Sequence, residues 1–420
     1  MPDRRIALTV DEQLARRLRA KAALAGETLA NRLSREMTRW LGSWGLQFSV
    51  HVVKAGESLA SIARDYYGDA QKHTVLAAYN DIENPNLIGV GQVLRIPEVT
   101  SQPGAPTKGE SPYIFGIHDR AGAQLMAEGG RRGWVLSSHV LGANRDDWGS
   151  ESFQDLADAG FGVIARLNHG DGHNGTLPHS TLYGNFAVRC ANFVERSAGC
   201  HIWVIGNEPN VAGERAGGPE NGERITPERY ARAFAACRNA IHSRAGHQRD
   251  QVVIGAVGPW NAQTVYRQNP TGDWIVYFQH VLDLLAGQLD GIALHTYARS
   301  ANPAEITSDA RMSAPWDNRR SGFRSYVDFM EAIPTRLRQL PVYITETNQN
   351  VPWQDVNRGW VREAYAEVDR WNSNPANQKI RAMILYRWGR HPQDDWQMAG
   401  KSQVLADWKA ALQNDYRWYR

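Results

Sequence analysis

The chain reads as an α/β protein whose C-terminal part, from residue 113 to residue 420, forms a closed (β/α)8 barrel. Two observations carry that expectation. Eight short apolar runs recur from Tyr113 onward, and amphipathic segments separate them, the pattern of a parallel sheet wrapped by helices. The other is a negative: no glycine-rich phosphate loop follows the first run, as an open doubly wound sheet would favour.

The runs are YIFGIH (113–118), GWVLSS (133–138), GVIARL (162–167), HIWVIG (201–206), VVIGAV (252–257), GIALHT (291–296), PVYITE (341–346) and AMILYRW (382–388). Segments such as NFAVRCANFVERS, PERYARAFAACRNAIHSR and VREAYAEVDRWN repeat apolar residues at helical spacing. Eight strand–helix units in about 300 residues have the size of a TIM barrel. Such barrels carry their chemistry at the C-terminal strand ends. His118, Ser138, Arg166, Asn168, Asn207, Glu208, Trp260, His295, Tyr297, Glu346 and Trp388 collect there. Glu208 follows the fourth strand and Glu346 ends the seventh. Three places apart in a ring of eight, they are expected to approach across the mouth.

Composition narrows the class of protein. Of 420 residues, 42% are hydrophobic and 22% charged, as in globular domains. The net charge of +3 provides no large field to steer the molecule onto nucleic acid. Three widely spaced cysteines, Cys190, Cys200 and Cys237, make neither a disulfide framework nor a metal signature. His118, His139, His169 and His173 lack tight ligand spacing, so no metal or cofactor is expected. Fifteen Trp and fifteen Tyr suit either aromatic sugar-binding walls or core filling. No signal-peptide-like or membrane-spanning apolar run is found, which reads as cytoplasmic, or exported by a route without a cleaved signal.

Two smaller units precede the barrel. Residues 1–45 read as a strand with alternating Ile6, Leu8 and Val10, a helix capped by Asp11, and a second helix begun near Thr28. So short a segment cannot bury a core alone and is expected to form a homodimer or pack on its neighbour. Its order resembles the ribbon-helix-helix family of DNA-binding proteins. The resemblance would turn Arg5, Ala7 and Thr9 toward a major groove. Ala7 offers no hydrogen bond to a base, so dimerisation without DNA reading and operator binding both stay open.

Residues 46–98 hold V-x-x-G-E-S-L, an Asn closing a second helix, and a final G-Q-x-L-x-I-P, in the order strand, helix, helix, strand. This resembles a LysM module. The resemblance implies binding of a peptidoglycan- or chitin-type glycan near Gly56, Glu57, Ser58, Asn86, Leu87 and Ile88. A spacer or connector role is the alternative. Residues 99–112, rich in Pro, Gly, Ser and Thr, read as a linker.

Within the barrel, WVIGNEPN (203–210) and YITETN (343–348) resemble the signatures of the clan A retaining glycoside hydrolases. HTY on the sixth strand and Trp388 on the eighth extend the likeness. It implies that Glu208 is the acid/base and Glu346 the nucleophile in cleavage of a polysaccharide's β-glycosidic bonds. Asn207 would bind a 2-hydroxyl, Tyr297 would donate to Glu346, His295 would line the same wall, and Trp388 would form the floor. Arg166 would help hold Glu346 charged. Each also has a plain structural reading as a salt-bridged carboxylate, a satisfied core histidine or a packed ring. Trp260, Trp316, Trp353 and Trp396 are further candidates for a cleft wall. The competing reading is a DNA-associated or assembly-associated protein whose barrel binds sugar without cutting it.

Overall fold

A computed structural model describes residues 48–419 apart from 68–69, 71–72, 81, 83, 98–105, 107–108, 286–287 and 390–393. The ribbon-helix-helix-like segment, 1–45, and most of the linker lie outside the described residues. The chain divides into two compact units, Met1–Ser101 and Gln102–Arg420.

In the first unit, β1 (Phe48–Val52) pairs antiparallel with β2 (Val93–Pro97), and α1 (Leu59–Tyr67) and α2 (His73–Tyr79) connect them. Val53, Leu59, Ile62, Ala63, Leu76, Leu94 and Ile96 form its core. Asn80, just past α2, donates Nδ2 to the carbonyls of Leu76 at 2.9 Å and Arg95 at 2.6 Å. Its Oδ1 accepts the Arg95 N–H at 2.7 Å. One amide side chain thus ends the helix and fastens it to β2, which is the work the closing Asn of the motif performs.

The second unit is a closed barrel of eight parallel strands in the order β10-β3-β4-β5-β6-β7-β8-β9. The strands are β3 (Phe115–His118), β4 (Trp134–Val140), β5 (Gly162–Asn168), β6 (Ile202–Ile205), β7 (Gln251–Ile254), β8 (Gly291–His295), β9 (Val342–Thr347) and β10 (Ile380–Leu385). Each falls on one of the eight apolar runs. Alternate residues face opposite ways. Trp134, Leu136, Ile164, Ile202, Val204, Val253, Ala293, Tyr343, Ala382 and Ile384 form one cluster, the barrel interior. Their neighbours, such as Val135, Ala165, Trp203, Ile254 and Leu294, join the larger core under the surrounding helices. The longest of these helices are α5 (Tyr183–Arg196), α7 (Pro227–His242) and α10 (Trp360–Ser373); α3 (Ala123–Glu128), α4 (Gln154–Asp158), α6 (Gly218–Asn221), α8 (Trp274–Leu284) and α9 (Ser325–Ala332) are shorter.

Glycine permits the closest strand approach. A Cβ on Gly133, at the entry to β4, would sit 2.0 Å from the Phe115 carbonyl oxygen. Backbone cannot yield there as a side-chain tip can. Gly133→Ala is therefore expected to lower stability by about 3 kcal/mol or more. Gly184→Ala, where a Cβ meets nothing within 4 Å, should unfold like the parent or slightly later. Thermal unfolding of the two variants checks this, and equal melting points would contradict the packing at Gly133.

Candidate active site

The inward set of each strand continues past its apolar residues into polar ones at the C-terminal end. Leu136 leads to Ser138, Ile164 to Arg166 and Asn168, Ala293 to His295, and Ile384 to Tyr386. On β9 strict alternation from Tyr343 would turn Thr345 inward and Glu346 outward. A register shift intervenes: Leu294 pairs with Ile344, but His295 pairs with Glu346. The extra residue turns Glu346 into the mouth opposite His295, a characteristic use of a bulge beside a site.

Glu346 is buried, at 6% exposure, yet ionised. Arg166 Nη1 donates to its Oε1 at 2.5 Å and the Tyr297 hydroxyl donates to its Oε2 at 2.9 Å. Burial pushes the carboxyl up, but the charges facing it, from His295 and the Arg166 guanidinium, outweigh that and hold the group at about 2. Arg166 carries a charge that does not depend on pH near neutrality. Burial lowers the His118 imidazole, which favours its neutral form and leaves it an acceptor. Tyr297, pushed well above the usual phenol range by burial and then by Glu346, stays a donor.

Arg166 uses four of its five N–H groups on its neighbours. Beyond Glu346, it donates to Ser138 Oγ at 2.9 Å, Asn207 Oδ1 at 2.6 Å and His118 Nε2 at 3.3 Å. Asn207, at the end of the stretch after β6, is thereby aimed into the mouth and donates its own N–H to Thr176 Oγ1.

Glu208 follows with φ of 39°, in left-handed backbone that a non-glycine residue adopts at a cost. Its N–H donates to the Ala256 carbonyl at 2.9 Å. Glu208 Oε1 lies 2.8 Å from His295 Nδ1, and His295 Nε2 is 3.9 Å from Glu346 Oε1. The Tyr297 hydroxyl, 3.1 Å from the same Nδ1, completes a path from one carboxylate to the other. Those contacts laid end to end set an upper limit of about 9 Å on the separation, which admits the close pair of a retaining glycosidase and the wider pair of an inverting one alike. Gly258 flanks Glu208, since a Cβ there would meet its Cδ at 3.1 Å.

These groups border a cavity of about 710 Å³. His118, Ser138, Arg166, Asn168, Asn207, Glu208, Trp260, Tyr297 and Glu346, all singled out from the sequence, line it. His295 lies beneath, fully buried, in contact with both glutamates. Trp388 does not line the cavity and is not its floor. The chain turns after Leu385, and Trp388 packs beside Gly122 and toward Trp408. Tyr386 and Trp396 occupy the wall instead. Trp260 lines the cavity, its Nε1 donating to the Arg320 carbonyl at 2.9 Å and its face covered by Arg299 at 4.0 Å. The wall expected from four tryptophans is shorter: Trp353 is buried against Trp360, and Trp316 packs toward Trp274.

The sequence reading missed Glu214, a third glutamate on the cavity wall. Burial, and then the charge of Glu208, push it up to about 7. It stands in a loop with no strand register to announce it. Tyr386 could have been found by extending the inward alternation of Ala382 and Ile384.

In the first unit, Gly56 has φ of 85° at the turn before α1. Glu57 Oε2 accepts the Lys54 N–H at 2.7 Å and lies 2.7 Å from His51 Nε2. Ser58 Oγ accepts the Ser61 N–H at 3.2 Å, capping α1. Both side chains are engaged in local structure. Ile88 packs on the core, while Asn86 and Leu87 are exposed, Leu87 at 73%.

Fold and site together define a (β/α)8 barrel with two carboxylates at its C-terminal mouth, Glu346 buried and Glu208 partly exposed. Residues 51–97 match the LysM domain, so the chain carries a LysM domain before its barrel. An uncharacterized protein of Deinococcus radiodurans is 53% identical over 49 residues, 12% of this chain and 19% of its own length. An esterase of Mycobacterium tuberculosis is 42% identical over 52 residues, 12% of this chain and 11% of its own. The chain thus spans a fifth or less of these relatives. Among solved structures, a family 128 exo-β-1,3-glucanase of Aureobasidium namibiae covers 74% of this chain and 99% of its own at 13% identity, with a TM-score of 0.38. An endoglucanase of Pseudomonas stutzeri covers 72% and 94% at 14% identity, with a TM-score of 0.42. A family 39 glycoside hydrolase of Xanthomonas axonopodis covers 74% and 67% at 14% identity, with a TM-score of 0.42. At such scores the likeness does not reach the chemistry of the site. Among the described residues no helix is long and apolar enough to cross a membrane.

Because the folded value of Glu346 lies near 2, below its ordinary 4.5, the stability it contributes is complete above the ordinary value. It is lost as pH falls from there toward 2. Arg166→Met would leave a buried carboxylate without its permanent cation and shift this loss to higher pH. The cost near neutrality should be about 3–5 kcal/mol. Denaturant unfolding between pH 3 and 7 measures it, and superimposable pH–stability curves would contradict the pairing.

Proposed function

We propose that the barrel is a retaining glycosidase acting on a β-linked polysaccharide. The observation that carries this reading is the pair Glu208 and Glu346, linked through the His295 ring and the Tyr297 hydroxyl at the barrel mouth, with Glu346 held as a carboxylate by Arg166. A Glu346 oxygen attacks the anomeric carbon while the proton of Glu208 passes to the departing glycosidic oxygen. The carbon–oxygen bond to the leaving sugar breaks as the glycosyl ester forms. Glu208 then takes a proton from water, whose oxygen displaces Glu346 and restores the starting configuration. Asn207, fixed by Arg166, is poised for the sugar's 2-hydroxyl, and Trp396 gives the cavity an apolar face for a pyranose ring. The LysM domain supports a polymer as substrate, held at a second point on the same chain.

Glu214 supports a variant of the mechanism in which it, rather than Glu208, delivers the first proton, because burial keeps it partly protonated near neutrality. A reading in which the barrel binds sugar without cutting it is not favoured, since a binding wall has no need of a desolvated, cation-held carboxylate.

Hydrolysis of a panel of aryl β-glycosides and polysaccharides tests the activity. A fluorinated glycosyl donor should label Glu346, and a label elsewhere would sink the mechanism. Glu346→Gln should lower kcat by about 10³-fold or more. Glu208→Gln should do the same with polysaccharide but far less with a leaving group that needs no proton. If Glu214→Gln shows that leaving-group pattern and Glu208→Gln does not, the proton donor is Glu214.

A further inference from the structure

At the N-terminal end of the barrel, opposite the mouth, three side chains from separate segments converge. His201 stands just before β6, Asp250 just before β7, and His247 in the turn between α7 and β7. His201 Nδ1 lies 2.8 Å from Asp250 Oδ1, and His247 Nδ1 lies 2.7 Å from Oδ2. Trp203 Nε1 donates to Oδ2 at 2.7 Å. One ligand atom from each of the three fits within 4.8 Å of the others, and theirs is the cluster of this kind among the described residues. Beside it opens a cavity of about 270 Å³, lined among others by His201, Arg249, Asp250, Glu110 and Gln251.

We propose that His201, His247 and Asp250 bind one divalent transition-metal ion, zinc being the expected occupant, with water from the cavity as fourth ligand. Two imidazoles and a carboxylate suit a borderline ion and not magnesium or calcium, which take oxygen. Both histidines present the same ring nitrogen to the same carboxylate, so one shift of each ring proton to Nε2 turns two lone pairs inward. Donors on a tetrahedral zinc stand about 3.4 Å apart. The two hydrogen bonds must therefore open by roughly half an ångström, a movement of the exposed His201 ring. Trp203 stays on Asp250 as the outer donor that orients a ligating carboxylate. The ion would tie the entries of β6 and β7 to the turn after α7. His242, close by, is already engaged with the Asp250 carbonyl at 2.9 Å and is not counted as a ligand.

Titration of the full chain with zinc chloride against a chromophoric chelator tests the site. One ion per chain is expected, together with a rise in melting temperature and, with cobalt, the visible bands of a tetrahedral centre. His201→Gln and His247→Gln should each weaken zinc binding at least about 30-fold. His280→Gln, a histidine elsewhere on the barrel, should leave it unchanged. Absence of binding, or binding that survives in the His201→Gln/His247→Gln protein, overturns the proposal. His201 is exposed, so its single variant keeps the test valid should the double variant not fold.

Discussion

The contact between Arg166 and Glu346 constrains the rest of the mouth. A buried guanidinium and a buried carboxylate each lose several kcal/mol of hydration, which their mutual attraction offsets only when every remaining donor and acceptor finds a partner. Arg166 approaches that condition with four of its five N–H groups, donating to Ser138, Asn207 and His118 as well as to Glu346. One rigid fork thereby connects β3, β4, β5, β9 and the segment after β6. Tyr297 closes the other oxygen of Glu346. None of these groups can turn without exposing another's unmet hydrogen bond.

Most of the architecture was legible because burial leaves a direct trace in sequence. Each of the eight strands is enclosed on both faces, so each is written as a bounded apolar run. The LysM fold was legible through residues whose jobs are local, such as Asn80 on the Arg95 backbone. What escaped depends on departures from regularity. The bulge that turns Glu346 inward rests on pairing with a strand some fifty residues away, which alternation along β9 cannot reveal. Trp388 looked like a floor because it closes an apolar run. The strand ends three residues earlier, at Leu385, and the ring packs against the core while Tyr386 faces the cavity.

Glu214 illustrates a different limit. Its position comes from two loops that lock together, with the Thr176 N–H donating to its carbonyl at 2.9 Å and the Gly217 N–H to that of His173 at 2.9 Å. Loop residues of this kind carry no periodicity, and their chemistry follows from which neighbours they share a cavity with. The mouth also concentrates backbone strain. Glu208, Trp260 and Asn350 all line it with positive φ, and the surrounding packing must hold each in place.

His295 sits within reach of both glutamates, and that shared imidazole has a bearing on how the acidic groups respond to one another. Its Nδ1 is shared between the Glu208 carboxylate and the Tyr297 hydroxyl, and that hydroxyl also donates to Glu346. Removing one corner, by a ligand or a substitution, would loosen the ring and the phenol together and be felt at the other acid even where that acid was never touched.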